Sequence, residues 1–249
     1  MNLFISVINH NHDHMIISSS TLKSLATQHF VIIKSNTPPT RKLKNYCHQN
    51  NITLLYSTKT KGFGANNNDI FRYAKRHLSM KTGDFFLVLN PDVEIHLSDI
   101  NRLIHDAIKQ SSNITAINLY KDTKFTIYDN SIRYYPKFLT PLKSLIGIKR
   151  NDFYDKTRIK QPISIDWAAG SFLLFTVDCY QVLNGFDERY FMYFEDADIC
   201  TRANNENFNV QYFPHIKAVH YAAHNNRKLF SKHLIWYILS AIRYQLNYK

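Results

Sequence analysis

Three acids crowd into eight residues of this sequence, YFEDADIC from Tyr193 to Cys200, with Glu195, Asp196 and Asp198 set between apolar neighbours. Carboxylates at a helix start are electrostatically favoured, so capping explains part of the pattern. Capping does not require apolar flanks. A carboxylate drawn partly out of water holds its proton more tightly, and burial of this kind tunes a general base. Another acid stands in FFLVLNPDVEI, Phe85 to Ile95, where an unbroken apolar run stops at Asn90-Pro91 and Asp92 follows at once. The run reads as a strand buried on both faces. Proline ends it, and a carboxylate at the carboxyl end of a buried strand sits where open α/β sheets bind ligands.

The stretch GFGANNN, Gly62 to Asn68, joins an apolar run to a helical pattern. Two glycines let a ligand approach backbone amides, and a helix N-terminus favours phosphate. The third glycine of a dinucleotide fingerprint is missing, and no Gly-Lys-Ser/Thr follows as in a Walker loop. His220 ends a further apolar run. His10, His12, Asp13 and His14 have the chemistry of metal ligands but not the spacing. They alternate on a loop, with no cysteine and no helical His-x-x-x-His beside them, so no metal is expected there.

These residues need elements to hold them. Apolar runs at 3–8, 29–36, 52–57 and 85–90 read as strands, and helical patterns start at 18, 42, 62 and 98. Ser98 is a cap for a helix whose apolar face is Ile100, Leu103, Ile104, Ala107 and Ile108. Strand and helix in alternation predict a parallel, doubly wound sheet. The second half changes character. Residues 120–165 are aromatic, basic and irregular; 164–177 reads as a strand pair or a strand broken at a glycine. NGFDERYFMYFEDADICTRA reads as a loop and then a helix, and NVQYFP and IKAVHY as two late strands. From about Arg227 the chain is helical, basic and aromatic, with Phe230, Leu234, Ile238 and Ile242 at helical spacing.

The 249 residues, 45% hydrophobic and 20% charged, suit one large α/β domain or two small ones, and 6 glycines leave no flexible linker. The net charge of +12 is spread along the chain, at 42–44, 59–61 and 148–150 among other places. That distribution favours a phosphate-rich ligand or a membrane surface over nucleic acid. Cys47, Cys179 and Cys200 stand far apart without a Cys-x-x-Cys pair, which fits a reducing, cytoplasmic compartment. No segment has the length of a span or the form of a signal peptide, so a membrane would be met from the side.

In order, GFGANNN, LNPDVEI, DWAAGSF, GFDERYFMYFEDADIC and AVHY resemble the family 2 glycosyltransferases of the GT-A fold. With the tail HNNRKLFSKHLIWYILSAIRY, the likeness narrows to the rhamnosyltransferases of bacterial O-antigen and related polysaccharide assembly, and it runs from Phe4 to about Tyr244. The resemblance implies an α/β fold with a Rossmann-like, mostly parallel central sheet flanked by helices. It implies a glycosyltransferase domain over 1–222, with a nucleotide-sugar half at 1–115 and an acceptor and catalytic half at 116–222, followed by an amphipathic helical tail at 223–249. The implied reaction moves L-rhamnose from dTDP-L-rhamnose, with inversion, to an undecaprenyl-diphosphate-linked sugar such as GlcNAc.

The resemblance also assigns roles. Asp196 matches the base, with Glu195 orienting it or the acceptor, while Asp198 secures the helix. Asp92 and His220 match the ligands of a divalent metal, Mg2+ or Mn2+, although Asn90 replaces the first carboxylate of the usual motif. Ile8, Asn9, His10, Asn36, Gly62, Phe63, Gly64, Asn67, Asn90 and Asp92 would line the donor, and Ser35 stands where the family has an aspartate. Trp167, Ala169, Gly170 and Arg133 would shape the sugar pocket, with Arg133 able to meet a phosphate. The implied partners are the nucleotide sugar, the lipid-linked acceptor and anionic membrane at the cytoplasmic face of the bacterial inner membrane, with no nucleic acid. Two rival readings keep the fold with another nucleotide sugar, or make the chain a non-catalytic basic module for lipid or nucleic acid. The acidic cluster and the order of motifs count against the second.

Overall fold

The computed structural model describes residues 1–136, 152–222 and 232–248. The apolar runs of the first half form strands β1 (Leu3–Asn9), β2 (Phe30–Ser35), β3 (Thr53–Tyr56) and β4 (Phe85–Leu89). They pair in parallel, β3 on β2, β2 on β1 and β1 on β4. Between them run α1 (Asp13–Ser18), α2 (Ser20–Leu25), α3 (Arg41–Gln49) and α4 (Phe63–His77). The helix expected from residue 18 is α2, which starts where the Ser19 hydroxyl accepts from the Thr21 amide, and α1 precedes it in a stretch where no helix was expected. After β4 come β5 (Val93–Glu94) and α5 (Leu97–Lys109). Ile100, Leu103 and Ala107 of α5 are buried as expected, but His96 rather than Ser98 precedes the first turn, and Ile108 is 49% exposed.

The second half departs from a uniformly parallel sheet. It holds β6 (Ile114–Tyr120), β7 (Ile132–Arg133), β8 (Ile163–Ser164), β9 (Trp167–Ala168), β10 (Phe172–Thr176), α6 (Val177–Val182), α7 (Glu195–Asn205), β11 (Val210–His220) and α8 (Lys232–Asn247). The sheet order is β3-β2-β1-β4-β10-β6-β11-β5, with β8 also on β11. β10 lies antiparallel to both β4 and β6, whereas β6 and β11 are parallel. The stretch at 164–177 therefore serves two sheets, because β9 pairs with β7 in a separate ribbon. The two late strands are one, β11. Pro214 has no N–H to give, and the register against β6 shifts between Phe213 and Lys217.

Alternate residues of the strands feed two cores. On one face Phe4, Ile32, Phe86 and Val88 pack with Ile70 and Phe71 of α4, Tyr180 of α6 and Ala197 and Cys200 of α7. On the other, Ile5, Val7, Ile33 and Leu87 pack with Ile16, Leu22, Leu43, Ile100 and Leu103. Each large apolar side chain so buried contributes roughly 1.5–3 kcal/mol. The three cysteines are buried and unpaired.

Helix α8 rests on α7: Tyr244 bonds the Thr201 hydroxyl at 2.7 Å, and Ser240 donates to the Met192 carbonyl at 3.0 Å. Its outward row is Ile235, Leu239, Ile242 and Leu246, each more than half exposed. The expected row is thus rotated: Ile242 faces solvent, while Leu234 and Ile238 are half-buried. Phe230, Arg227 and Lys228 lie outside the described residues, as does the basic stretch at 148–150. No helix among the described residues is long and apolar enough to cross a membrane.

Candidate active site

Helix α7 starts where Tyr193 and Phe194 both adopt positive φ, 74° and 66°. Each such non-glycine residue costs on the order of 1–2 kcal/mol. Phe194 is held by burial against the rings of Tyr237 and Tyr244. The turn puts Glu195, Asp196 and Asp198 in the first helical turn, and the three part company there. Asp198 is buried and engaged, taking Arg202 at 2.8 Å and the Tyr248 hydroxyl at 2.7 Å, as a helix-securing residue should. Glu195 is buried, and among the described residues its Oε2 has no hydrogen-bond partner. Burial first, and Asp196 next to it, hold its pKa well above the usual carboxylate range.

Asp196 is half-buried, and its two oxygens receive backbone amides. Gly170 donates to Oδ2 at 3.1 Å and Ala197 to Oδ1 at 2.9 Å. Burial raises its pKa; the two amides and the positive charge of Arg133 take back part of the rise. The result is an oriented carboxylate that holds a proton more readily than an exposed aspartate. Arg133 lies between aromatic faces, 5.2 Å from the Phe153 ring and 5.3 Å from the Trp167 ring, and its Nε donates to the Asn130 carbonyl. Trp167 is fixed in turn by its indole N–H on the Tyr134 carbonyl at 2.9 Å.

The second acidic centre forms at three strand ends. A turn closed by the Val93 amide on the Asn90 carbonyl carries Asp92 out of β4 and into β5. β5 pairs with β11 so that Val93 faces His220, and the Tyr221 amide bonds the Asp92 carbonyl. His220 Nε2 lies 3.5 Å from Asp92 Oδ1, and its Nδ1 lies 2.5 Å from Asp129 Oδ2. Burial alone would lower the imidazole pKa, but the two carboxylates outweigh it and raise it to about 9. Asp92 and Asp129 feel burial upward and His220 downward, and both end below the ordinary range. One hard oxygen and one imidazole nitrogen at this spacing suit two neighbouring positions on a single ion. Ligands about 2.1 Å from an octahedral centre are roughly 3 Å apart at right angles and farther at wider angles. Among the described residues no group of three His, Cys, Asp or Glu side chains is arranged for a metal, so diphosphate oxygens and water would complete such a shell.

Two consecutive residues join the centres. Gly170 holds Asp196, and the carbonyl of Ser171 accepts from the Asn90 amide at 2.9 Å. A Cβ at Gly170 would lie 3.1 Å from the Phe63 ring and 3.7 Å from Asp196 Cβ, so the glycine loop also reaches this junction. That loop is packed tightly. A Cβ at Gly62 would come 2.5 Å from the Phe191 carbonyl oxygen, and one at Gly64 2.7 Å from Phe186 Cβ.

Three of the polar residues expected along the donor have their side chains engaged within the protein. Asn36 is bonded in both directions to the Lys61 backbone, at 2.8 and 2.9 Å. Asn67, fully buried, accepts from Ser6 and donates to the Phe63 carbonyl. Asn9 donates to Asp13 and Ser35 and accepts from the His12 amide. These three fix the strand ends and the glycine loop. Ile8 and Ala169 are half-buried at the neighbouring positions. Asp129 was not foreseen: it sits in a stretch without periodicity, and the signal for it is its partner across the sheet.

The same chain trace occurs in solved glycosyltransferases. GalNAc-T7 with UDP, GalNAc and Mn2+ matches with a TM-score of 0.63 at 13% identity, over 97% of this chain and 48% of that one. Staphylococcus aureus TarS with UDP-GlcNAc matches at 0.58 and 14%, over 94% and 61%. At such identities the likeness concerns the fold, and the fold is that of the GT-A glycosyltransferases. No family model matches the sequence. Individual relatives do. Rhamnosyltransferase WbbL of Escherichia coli K12 is 30% identical over 243 residues, 97% of this chain and 92% of that protein. An N-acetylglucosaminyl-diphospho-decaprenol L-rhamnosyltransferase of Mycobacterium tuberculosis is 30% identical over 159 residues, 61% of this chain and 51% of that one. The chain belongs to the family 2 glycosyltransferases and is rhamnosyltransferase-like.

Proposed function

We propose that the enzyme transfers L-rhamnose from dTDP-L-rhamnose, with inversion, to GlcNAc on an undecaprenyl diphosphate. The observation that carries this is the match to WbbL along nearly the whole of both chains. The name of the mycobacterial relative, which specifies a polyprenyl-diphosphate GlcNAc acceptor and an L-rhamnosyl group, supports the same substrates.

In the reaction Asp196 accepts the proton of the attacking GlcNAc hydroxyl as the new bond to the anomeric carbon forms. The bond to the diphosphate breaks on the opposite face, through a transition state with oxocarbenium character. Arg133 lies close enough to Asp196 to act on its charge, on the side of the aromatic pocket. Asp92 and His220 would hold Mg2+ or Mn2+, which neutralises charge on the departing nucleoside diphosphate. Glu195, whose pKa is raised by burial and by Asp196 beside it, would orient Asp196 or the acceptor.

The outward row of α8 would lie against the cytoplasmic face of the inner membrane, where a polyprenyl acceptor resides. A net charge of +12 and four exposed aliphatic side chains in one row support a peripheral contact.

The test is a panel of nucleotide sugars, each with Mn2+ and a polyprenyl-diphosphate GlcNAc acceptor, scored for nucleoside diphosphate release and a new disaccharide lipid. Only dTDP-L-rhamnose should give both. A UDP- or GDP-sugar that turns over while dTDP-L-rhamnose does not would replace the donor and keep the enzyme class.

A further inference from the structure

We infer that Asp129 is a positioning residue for metal binding: it holds the His220 ring so that Nε2 faces the same space as the Asp92 carboxylate. The inference rests on the proposed role of Asp92 and His220. The two ring nitrogens lie on opposite sides of the imidazole. Asp129 Oδ2 takes the Nδ1 side at 2.5 Å, and Asp92 Oδ1 stands on the Nε2 side at 3.5 Å. An ionised carboxylate only accepts, so Nδ1 keeps its hydrogen, and the Nε2 position beside Asp92 is the one where a cation would take the place of the ring's second proton.

Asp129 is itself fixed. Its amide donates to the Leu119 carbonyl at 2.9 Å, and Tyr128 bridges Tyr120. β6 also sets His220, because Tyr120 lies beside Val219 in the β6–β11 register. Lys156, buried, braces the same segment: its Nζ donates to the Ser131 hydroxyl at 2.8 Å and to the Leu119 carbonyl at 3.4 Å. The segment then runs on to Arg133, whose backbone pairs with Trp167, and the Ser131 carbonyl receives the Ala169 amide beside Gly170. A strand-end histidine needing only to fill space would not require a carboxylate on each nitrogen.

The experiment measures Mn2+ affinity of the full chain in the presence of dTDP, from the free-ion signal in electron paramagnetic resonance. Native protein is compared with Asp129→Ala and Asp129→Asn. Loss of an outer carboxylate behind a metal-binding histidine typically weakens binding about 10–100-fold. Asp129→Ala should fall in that range, and Asp129→Asn, which keeps the shape but not the charge, should show a smaller loss. The second variant carries the comparison if the first does not fold. A parallel 1H–15N spectrum of the His220 ring with Mg2+ and dTDP should show a single Nδ1–H form in native protein and a mixture in Asp129→Asn. Mn2+ affinities within twofold of native in both variants would overturn the role of Asp129 alone. No dTDP-dependent Mn2+ binding by native protein would overturn the metal role of Asp92 and His220 together with it.

Discussion

The backbone amide of Gly170 reaches Oδ2 of Asp196 at 3.1 Å, and the very next carbonyl, that of Ser171, is bonded to the Asn90 amide beside Asp92. The carboxylate proposed as base and the turn proposed to meet the donor diphosphate are thus tied through two adjacent residues. A displacement of either should be felt by the other.

Asp196→Asn should lower transfer by about 10²–10⁴-fold, the usual contribution of a general base. Thermal stabilisation by dTDP with Mn2+ should persist, because the amide keeps the shape of the side chain. The pH dependence has a definite sign. Only ionised Asp196 can take a proton, and its pKa is raised by burial, so activity should climb with rising pH along an acid limb displaced above that of an exposed aspartate. A rate independent of pH across the carboxylate range, or near-native turnover of the variant, would remove Asp196 from the base role.

Asp92→Ala should abolish stabilisation by dTDP plus Mn2+ while leaving the fold intact, since His220 keeps Asp129. EDTA should stop transfer by native enzyme, and added Mn2+ should restore it. Full activity in chelator would show that neither Asp92 nor His220 serves through a metal.

Gly62 is held to hydrogen by the Phe191 carbonyl, 2.5 Å from where a Cβ would stand. Its φ is −66°, so the constraint is space and not backbone conformation. The obstacle is backbone, which yields less readily than a side chain. Gly62→Ala should cost about 1–3 kcal/mol of stability by urea unfolding, as overpacked sites do. A loss under about 0.5 kcal/mol would mean that the 191 segment moves freely.

Helix α8 offers a test of membrane contact that leaves its packing alone. Arg243 donates to the Arg189 carbonyl and lies over the Tyr190 ring, so reversing its charge would disturb the fold. Leu239 and Ile242 are 57% and 52% exposed, and Leu239→Asp with Ile242→Asp adds two negative charges to the outward row. Each charge near an anionic surface is worth on the order of 1 kcal/mol. Sedimentation with phosphatidylglycerol vesicles should therefore drop more than tenfold in affinity, and high salt should weaken native binding as well. Unchanged sedimentation would assign the row to something other than lipid.

The sequence alone determined the parts that repeat locally. Short, β-branched apolar runs bounded by turn residues read as strands buried on both faces, so β1, β2 and β4 and their parallel pairing were legible, as was the end of β4 at Asn90-Pro91-Asp92. The acids at 195–198 were legible as a helix start because carboxylates are favoured at a helix N-terminus, and as candidate bases because their flanks are apolar. Tertiary structure decided what those acids do. Asp198 is ion-paired with Arg202 and hydrogen-bonded by Tyr248, Glu195 is left without a partner for Oε2 among the described residues, and Asp196 is aimed by Gly170, although the three lie within four residues. It also decided the antiparallel insertion of β10 and the single course of β11 past Pro214, which local pattern split in two. Asp129 lies 91 residues from His220, in a stretch with no periodicity of its own. Its role exists only through the register of β6 against β11, because hydrogen bonds between distant strands leave no periodic trace in either.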